Sequence, residues 1–230
     1  MTGDASTQAA RARFLALGDS YTIGEGVDAG GRWPDQLAAA LRASGLAVAT
    51  PEIVARTGWT TGELAAAMDR HAFHPPYDLV TLLIGVNNQY RAGQEPKCPG
   101  GQGGPGGAGR DLDNYRGEFR TLLERAIALA GNRPQRVVVV SIPDWGVTRF
   151  GQSSGRDTAK VAHELDLYNV ANAEIAASLH VRYADVTPAS RDGGDHADML
   201  AGDGLHPSAT MYRRWLAVIQ PQARAALSKD

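Results

Sequence analysis

The sequence is poor in several features, and each shortage excludes a class of protein. Its 230 residues contain one cysteine, Cys98, which excludes an internal disulfide framework and a cysteine-rich metal site. The net charge is −2 and no block is dense in lysine or arginine, which argues against nucleic acid as a main partner. No apolar run approaches the roughly 20 residues that a membrane helix needs, so membrane insertion is not expected.

The N-terminal segment has only a short apolar run before Gly18 and lacks the apolar core of an export signal. As written, the chain predicts a cytoplasmic protein, with an export signal removed before this N-terminus as the alternative. Because 43% of its residues are hydrophobic, we expect one soluble domain over residues 1–230.

Five short, β-rich apolar runs alternate with longer helical patterns. The runs predicted as strands are residues 14–18, 47–55, 78–85, 136–142 and 180–186. Because the alternation is strict, it predicts right-handed crossovers and a parallel sheet covered on both faces, which is a doubly wound α/β domain. Ligands in such a sheet bind beyond the carboxyl ends of the strands. The segments that follow each strand are therefore where a site is expected.

The stretch FLALGDSYTIGEGV, residues 14–27, places Ser20 in a tight turn just past the first predicted strand. A serine hydroxyl is a poor nucleophile at neutral pH and needs a general base. Of the six histidines, only His206 has a carboxylate three residues upstream, Asp203. That spacing lets the carboxylate bind one ring nitrogen while the other accepts the serine proton.

Acyl transfer also needs hydrogen-bond donors where negative charge develops. Gly58 lies in a turn after the second predicted strand, and Asn87 offers a side-chain amide just past the third. With the backbone N–H of Ser20, they make three candidate donors of an oxyanion hole. Side chains in the same segments are predicted to line a substrate pocket: Tyr21, Trp59, Asn88, Tyr90, Trp145 and Phe150.

Four motifs, GDSYT, the turn at Gly58, GVNN and DGLHPS, occur in that order over nearly the whole chain. Together they resemble the four blocks of the GDSL, or SGNH, hydrolase family. The resemblance implies a flavodoxin-like three-layer α/β/α sandwich with a five-stranded parallel sheet. It also implies a triad of Ser20, His206 and Asp203, an oxyanion hole of Ser20, Gly58 and Asn87, and ester hydrolysis without a metal or organic cofactor.

The chain departs from the family pattern in two places. The third block usually ends Asn-Asp, whereas this chain has Asn87-Asn88, so a carboxylate charge is missing there. The segment EPKCPGGQGGPGGAGR, residues 95–110, is inserted before the next helix, and its glycine and proline content predicts a flexible surface loop. A flap over the substrate is the alternative to a linker without a role.

Three features compete with, or qualify, this interpretation. GQSSG, residues 151–155, matches the nucleophile elbow of another hydrolase fold, but that elbow needs its serine directly at a strand end. We therefore predict a loop that leads to a helix N-cap there. His196, flanked by two aspartates, is a rival base in the same loop as His206. Asp19 is interpreted as a turn-forming carboxylate that binds nearby N–H groups.

The sequence thus predicts a serine esterase that acts on a small-molecule ester. Short acyl chains are expected, because no apolar lid or membrane-binding helix is evident. Thioesterase, carbohydrate acetylesterase and lysophospholipase activities are alternatives within the family. A non-catalytic flavodoxin-like binding module, holding a phosphate-bearing ligand in the same crevice, is the alternative from another class. The oligomeric state is left open.

Overall fold

Short apolar strands form one parallel sheet in the computed structural model, which describes residues 11–92 and 108–228. The strands of this described part are β1 (Phe14–Gly18), β2 (Glu52–Ala55), β3 (Leu79–Leu83), β4 (Val137–Val140) and β5 (Arg182–Ala184). They lie in the order β2-β1-β3-β4-β5, and every neighbouring pair is parallel. This is the flavodoxin-like order, with its topological switch point between β1 and β3.

Helices cover both faces of the sheet. In the described ranges the α-helices are α1 (Ser20–Ile23), α2 (Trp33–Ala43), α3 (Thr61–Arg70), α4 (Val86–Arg91), α5 (Ala108–Leu129), α6 (Arg149–Ser153), α7 (Thr158–Ser178), α8 (Thr187–Arg191) and α9 (Ala209–Leu227). The same ranges also contain two 3-10 helices, at Ala29–Gly31 and Pro134–Arg136. Helix α2 packs against α9, and α5 packs against both α3 and α7. The predicted three-layer α/β/α sandwich is confirmed.

The second strand is shorter than its prediction. The sequence pattern predicts residues 47–55, whereas β2 covers only Glu52–Ala55. Val48 still forms an isolated parallel bridge with Ala12. Pro51 has no N–H to donate to the ladder, so regular pairing begins only after it.

The predicted loop at residues 95–110 lies outside the described residues except for 108–110, where α5 has already begun. Within the described ranges, no helix combines the length and apolar character needed to cross a membrane. Nor do three His, Cys, Asp or Glu side chains cluster there as they would around a metal ion.

The buried core fixes the edge of the sheet at which the candidate residues lie. Strands β1 and β3 are buried along their whole length, and Gly18 pairs with Leu83 at their carboxyl ends. Two residues past Gly18 the chain reaches Ser20, and four past Leu83 it reaches Asn87. The sheet register therefore brings these two side chains to neighbouring positions on one edge.

Candidate active site

Ser20 is the first residue of α1, which begins one residue after the end of β1. Asp19 caps this short helix, since its Oδ1 accepts a hydrogen bond from the Tyr21 N–H at 3.0 Å. The interpretation of Asp19 as a turn-forming carboxylate is thus confirmed. The N–H groups of a first helical turn have no acceptor within the helix, so the Ser20 N–H points outward at its N-terminus.

His206 is held by Asp203 through a set of short local contacts. The His206 Nδ1 lies 2.6 Å from Asp203 Oδ2, and Asp203 Oδ1 accepts from the N–H groups of Leu205 at 2.9 Å and His206 at 3.0 Å. Partial burial alone would raise the pKa of Asp203, but these hydrogen bonds outweigh it and lower the pKa below its ordinary value. Asp203 therefore remains a carboxylate that orients the His206 ring.

One cavity of about 220 Å³ joins the candidate residues. It opens at the carboxyl edge of the sheet, and its lining residues are Ser20, Tyr21, Val86, Asn87, Tyr90, Trp145, Phe150, Leu205 and His206. Ser20 and His206 are only 4% and 7% exposed, so both groups sit in a largely desolvated place. Low local polarity strengthens any hydrogen bond made to a charge that develops inside it.

Asn87 enters the cavity from the first turn of α4. Its Nδ2 donates to the carbonyl oxygen of Trp59 at 3.0 Å, which fixes the amide plane and occupies one of its two N–H donors. Gly85 precedes this turn with φ of +128°, and a Cβ there would collide with the Tyr115 hydroxyl. Only glycine therefore lets the chain deliver Asn87 to this place.

Gly58 lies beside the cavity and does not line it. Its φ is +86°, the left-handed conformation that glycine adopts without strain. The Gly58 carbonyl accepts a hydrogen bond from Arg91 Nη2 at 2.5 Å, and Arg91 Nη1 lies 3.3 Å from Glu63 Oε2. The Gly58 N–H has no hydrogen-bond acceptor within the described part of the chain. Sequence reasoning missed Arg91, although it stands four residues from Asn87 and thus on the same face of α4.

A family comparison agrees with this arrangement of motifs. The model of the GDSL-like lipase/acylhydrolase family matches residues 16–214. The chain belongs to this family. No curated protein sequence gives a significant match.

Solved structures share the fold of this GDSL-family protein. The crystal structure of TesA superposes with a TM-score of 0.68 at 17% identity, over 94% of this chain and 99% of TesA. A variant of Axe2, an acetyl xylan esterase from Geobacillus stearothermophilus, gives 0.64 at 18%, over 95% and 97%. The lipase/acylhydrolase from Enterococcus faecalis gives 0.63 at 19%, over 95% and 98%. The family and these esterase-like folds support a hydrolase.

Two of the predicted pocket residues lie away from the cavity of this GDSL-family protein. Asn88 is held by Thr61: its Oδ1 accepts from the Thr61 N–H at 3.0 Å, and its Nδ2 donates to Thr61 Oγ1 at 2.7 Å. Trp59 offers its backbone carbonyl to Asn87 and packs its ring against the core. The other four, Tyr21, Tyr90, Trp145 and Phe150, do line the cavity. Val86 and Leu205 line it unpredicted, although each directly precedes a candidate residue.

Asp19 is more deeply buried than its turn role alone requires. It is fully buried, and its Oδ2 has no hydrogen-bond partner among the described residues. Burial raises the pKa of Asp19 to about 7, against the opposing effect of the hydrogen bonds from Tyr21 N–H and its own N–H. Near neutral pH it therefore places less negative charge beside Ser20 than an ordinary aspartate would.

The rival candidates do not reach this cavity. The His196 side chain is 66% exposed, with Asp195 at 3.8 Å, and lies outside the residues that line it. The prediction of a loop at residues 151–155 is wrong, because these residues form the end of α6 and the turn after it. Ser153 Oγ donates to the carbonyl of Phe150 at 3.1 Å, as a serine near a helix C-terminus commonly does. No strand directly precedes this serine, so the elbow geometry is absent.

Proposed function

We propose that this protein is a serine esterase that hydrolyses carboxylic esters through an acyl-enzyme on Ser20. One observation carries the proposal. Ser20, Asn87 and His206 line a single cavity, and Oδ2 of Asp203 lies 2.6 Å from Nδ1 of His206. This gathers a nucleophile, a base with its orienting carboxylate, and a donor for developing negative charge.

The reaction follows from these roles. Ser20 Oγ attacks the ester carbonyl carbon as its proton passes to Nε2 of His206, and the carbonyl oxygen becomes an oxyanion. The N–H groups of Ser20 and Gly58 and the free amide N–H of Asn87 bind that oxyanion. The intermediate collapses, the bond to the alcohol oxygen breaks, and His206 returns the proton to that oxygen. Water then attacks the acyl-enzyme by the same route and releases the acid and Ser20.

The size and walls of the cavity favour short acyl groups. The cavity of about 220 Å³ is lined by Val86, Leu205 and four aromatic rings, and these walls suit a small apolar group. Carboxylic esters of small molecules are therefore the proposed substrates. Thioesters, acetylated sugars and lysophospholipids are the alternatives, and they belong in the same substrate panel.

The test is hydrolysis of 4-nitrophenyl acetate by the wild type and by Ser20→Ala and His206→Ala. Each variant should lose at least about a thousandfold in kcat, because the nucleophile and its base act as a unit. Their thermal unfolding midpoints should stay close to that of the wild type, which separates lost chemistry from lost folding. Activity retained in Ser20→Ala would overturn the proposal.

A fluorophosphonate probe separates an esterase from a non-catalytic binding module. The probe should label the wild type on Ser20 and leave Ser20→Ala unlabelled, since only an activated serine attacks phosphorus. A wild-type chain that takes no label and hydrolyses no member of the panel would favour the binding module.

A further inference from the structure

Arg156 stands beside two aromatic walls of the cavity in a fixed position. Its guanidinium carbon lies 4.1 Å from the centroid of the Tyr90 ring and 5.6 Å from that of Trp145. Its Nη1 donates to the backbone carbonyl of Tyr90 at 3.0 Å. Tyr90 and Trp145 pack edge to face with centroids 5.3 Å apart, so their rings form a corner that holds the cation. The guanidinium is thus ordered before any ligand arrives.

Most hydrogen-bonding capacity of Arg156 is unused in the described part of the structure. A guanidinium presents five N–H donors, and one of them goes to the Tyr90 carbonyl. No described carboxylate lies within ion-pair distance of it. The neighbouring Asp157 caps α7 through the N–H groups of Ala159 and Lys160. The half-buried cation therefore carries its charge beside Tyr90 and Trp145 without an acidic partner among the described residues.

A second arginine stands on the same segment. Arg149, the first residue of α6, is exposed and makes no described ion pair, and its Cβ faces Gly204 in the loop that carries His206. The backbone N–H of Phe150 donates to the Gly204 carbonyl at 3.0 Å, which ties this segment to that loop. Two cations, Arg149 and Arg156, thus lie on the same stretch of chain as Phe150, a wall of the cavity.

The cavity itself carries no cation among its lining residues, and its walls are mainly apolar and aromatic. A charged substituent is therefore excluded from the interior by the cost of losing its water. A carboxylate that stays outside the interior, next to Tyr90 and Trp145, would meet the Arg156 guanidinium, whose planar fork matches it. The position of the cations thus favours a substrate with an apolar reacting end and an anionic far end.

We propose that Arg156, assisted by Arg149, is a subsite for a carboxylate borne by the ester substrate. The inference rests on the proposed esterase function and narrows its substrate class to anionic esters. Arg156 acts on binding and on the choice of substrate, and takes no part in the covalent steps.

The test uses two pairs of esters in which a remote carboxylate is either free or masked as a methyl ester, and each kcat/KM is divided by the rate constant of hydroxide-catalysed hydrolysis of the same reacting ester. On the acyl side, the 4-nitrophenyl monoester of adipate is compared with its methyl ester. On the alcohol side, 4-acetoxybenzoate is compared with its methyl ester. In at least one pair the wild type should prefer the anion by about tenfold in kcat/KM, with the difference mainly in KM. The pair that responds identifies the side of the ester that faces Arg156.

Arg156→Gln should abolish this preference, which is measured as the ratio of kcat/KM for the anionic ester to that for its neutral partner. Arg156→Lys should restore part of it, because the charge stays while the planar fork is lost. Arg70→Gln is the matched control, since Arg70 is an exposed arginine at the end of α3, with no described ion pair. Equal loss on anionic and neutral esters would overturn the subsite and leave Arg156 as a support for the cavity wall. So would the absence of any preference in the wild type.

A binding measurement keeps the subsite apart from the esterase proposal. Calorimetric titration with 4-acetamidobenzoate and with its methyl ester needs no turnover. Tighter binding of the anion, lost in Arg156→Gln, supports the subsite even if the chain hydrolyses no ester and the proposed function fails. Equal binding of the two compounds overturns it.

Discussion

The two segments that complete the candidate site are held in place in different ways. In the histidine loop, residues 203–208, the decisive contacts are local: Asp203 binds the His206 ring and two N–H groups within three residues of itself. The Gly58 turn, residues 57–61, is held by three side chains from α4, namely Asn87, Asn88 and Arg91.

This difference decides how each segment responds to change. The orientation of the His206 ring depends on one carboxylate, so a single substitution should remove its function almost completely. The Gly58 turn shares its support among several distant contacts, so single substitutions there should have graded effects. Substitutions in the histidine loop and in the Gly58 turn therefore test whether the two segments respond differently.

Asp203→Asn should have the largest effect. The variant keeps the size of the side chain but cannot hold the same tautomer and charge state of His206, and kcat should fall by about 10³–10⁴. Steady-state hydrolysis of 4-nitrophenyl acetate measures this, with a thermal melt to confirm the fold. A loss smaller than tenfold would mean that another group orients His206.

Asn87→Ala removes a proposed oxyanion donor and also a support of the Gly58 turn. We expect kcat to fall by about 10²–10³ with little change in KM, because the lost hydrogen bond forms only in the transition state. Asn88→Ala is the matched control, since the neighbouring amide lies outside the cavity and should lower kcat far less. A rise in KM at constant kcat would instead assign Asn87 to substrate binding.

The fold is predictable because its signals are local and repeated. Five apolar runs separated by helical patterns suffice to predict a doubly wound sheet, and the boundaries of β1 are as predicted. The apolar pattern places the start of β2 too early, because Pro51 has no N–H for the strand ladder and regular pairing begins only after it. Whether the residues before Pro51 also pair with β1 depends on the position of β1, which the local sequence does not contain.

The site is predictable where its contacts join residues that are close together in the sequence. The pairing of Asp203 with His206 spans three residues and follows from their spacing. The contact of Arg91 with Gly58 spans 33 residues, and it exists only because the fold brings α4 beside the turn after β2. The burial of Asp19 is likewise a product of packing, and its raised pKa has no counterpart in the motif.

Arg91→Gln tests the distributed support of the Gly58 turn. The variant loses the hydrogen bond to the Gly58 carbonyl and the ion pair with Glu63, so the Gly58 N–H should be less well positioned. We expect kcat on 4-nitrophenyl acetate to fall by about tenfold, and Arg91→Lys to recover part of the loss.

Arg125→Gln is the control for Arg91, because Arg125 also joins two helices, through Asp69 and the carbonyl of Ala65. It contacts no residue of the Gly58 turn and should leave kcat unchanged. If both arginine variants lowered kcat equally, the effect would reflect general stability and not the position of Gly58.

Asn88→Asp should have the smallest effect of these substitutions. It restores the Asn-Asp pair that usually ends the third block of the family, where this chain has Asn87-Asn88. Thr61 Oγ1 accepts from Asn88 Nδ2 and donates to Glu118 on α5. Glu118 thus supplies a carboxylate at the point where the usual aspartate is missing. One hydroxyl hydrogen cannot serve two carboxylates, so Asn88→Asp should leave one unpaired beside a like charge. Because Glu118 is exposed, we expect a loss of about 1 kcal/mol in the free energy of unfolding.

Glu118→Gln in the Asn88→Asp background should recover that loss, since the Thr61 hydroxyl can then donate to the introduced carboxylate without a competing charge. Urea unfolding of the wild type, both single variants and the double variant completes the cycle. A positive coupling between the two positions means that they share one hydrogen bond through Thr61. Strictly additive losses would mean that positions 88 and 118 do not interact through Thr61. The contacts that support the Gly58 turn would then be those of Arg91 and Asn87.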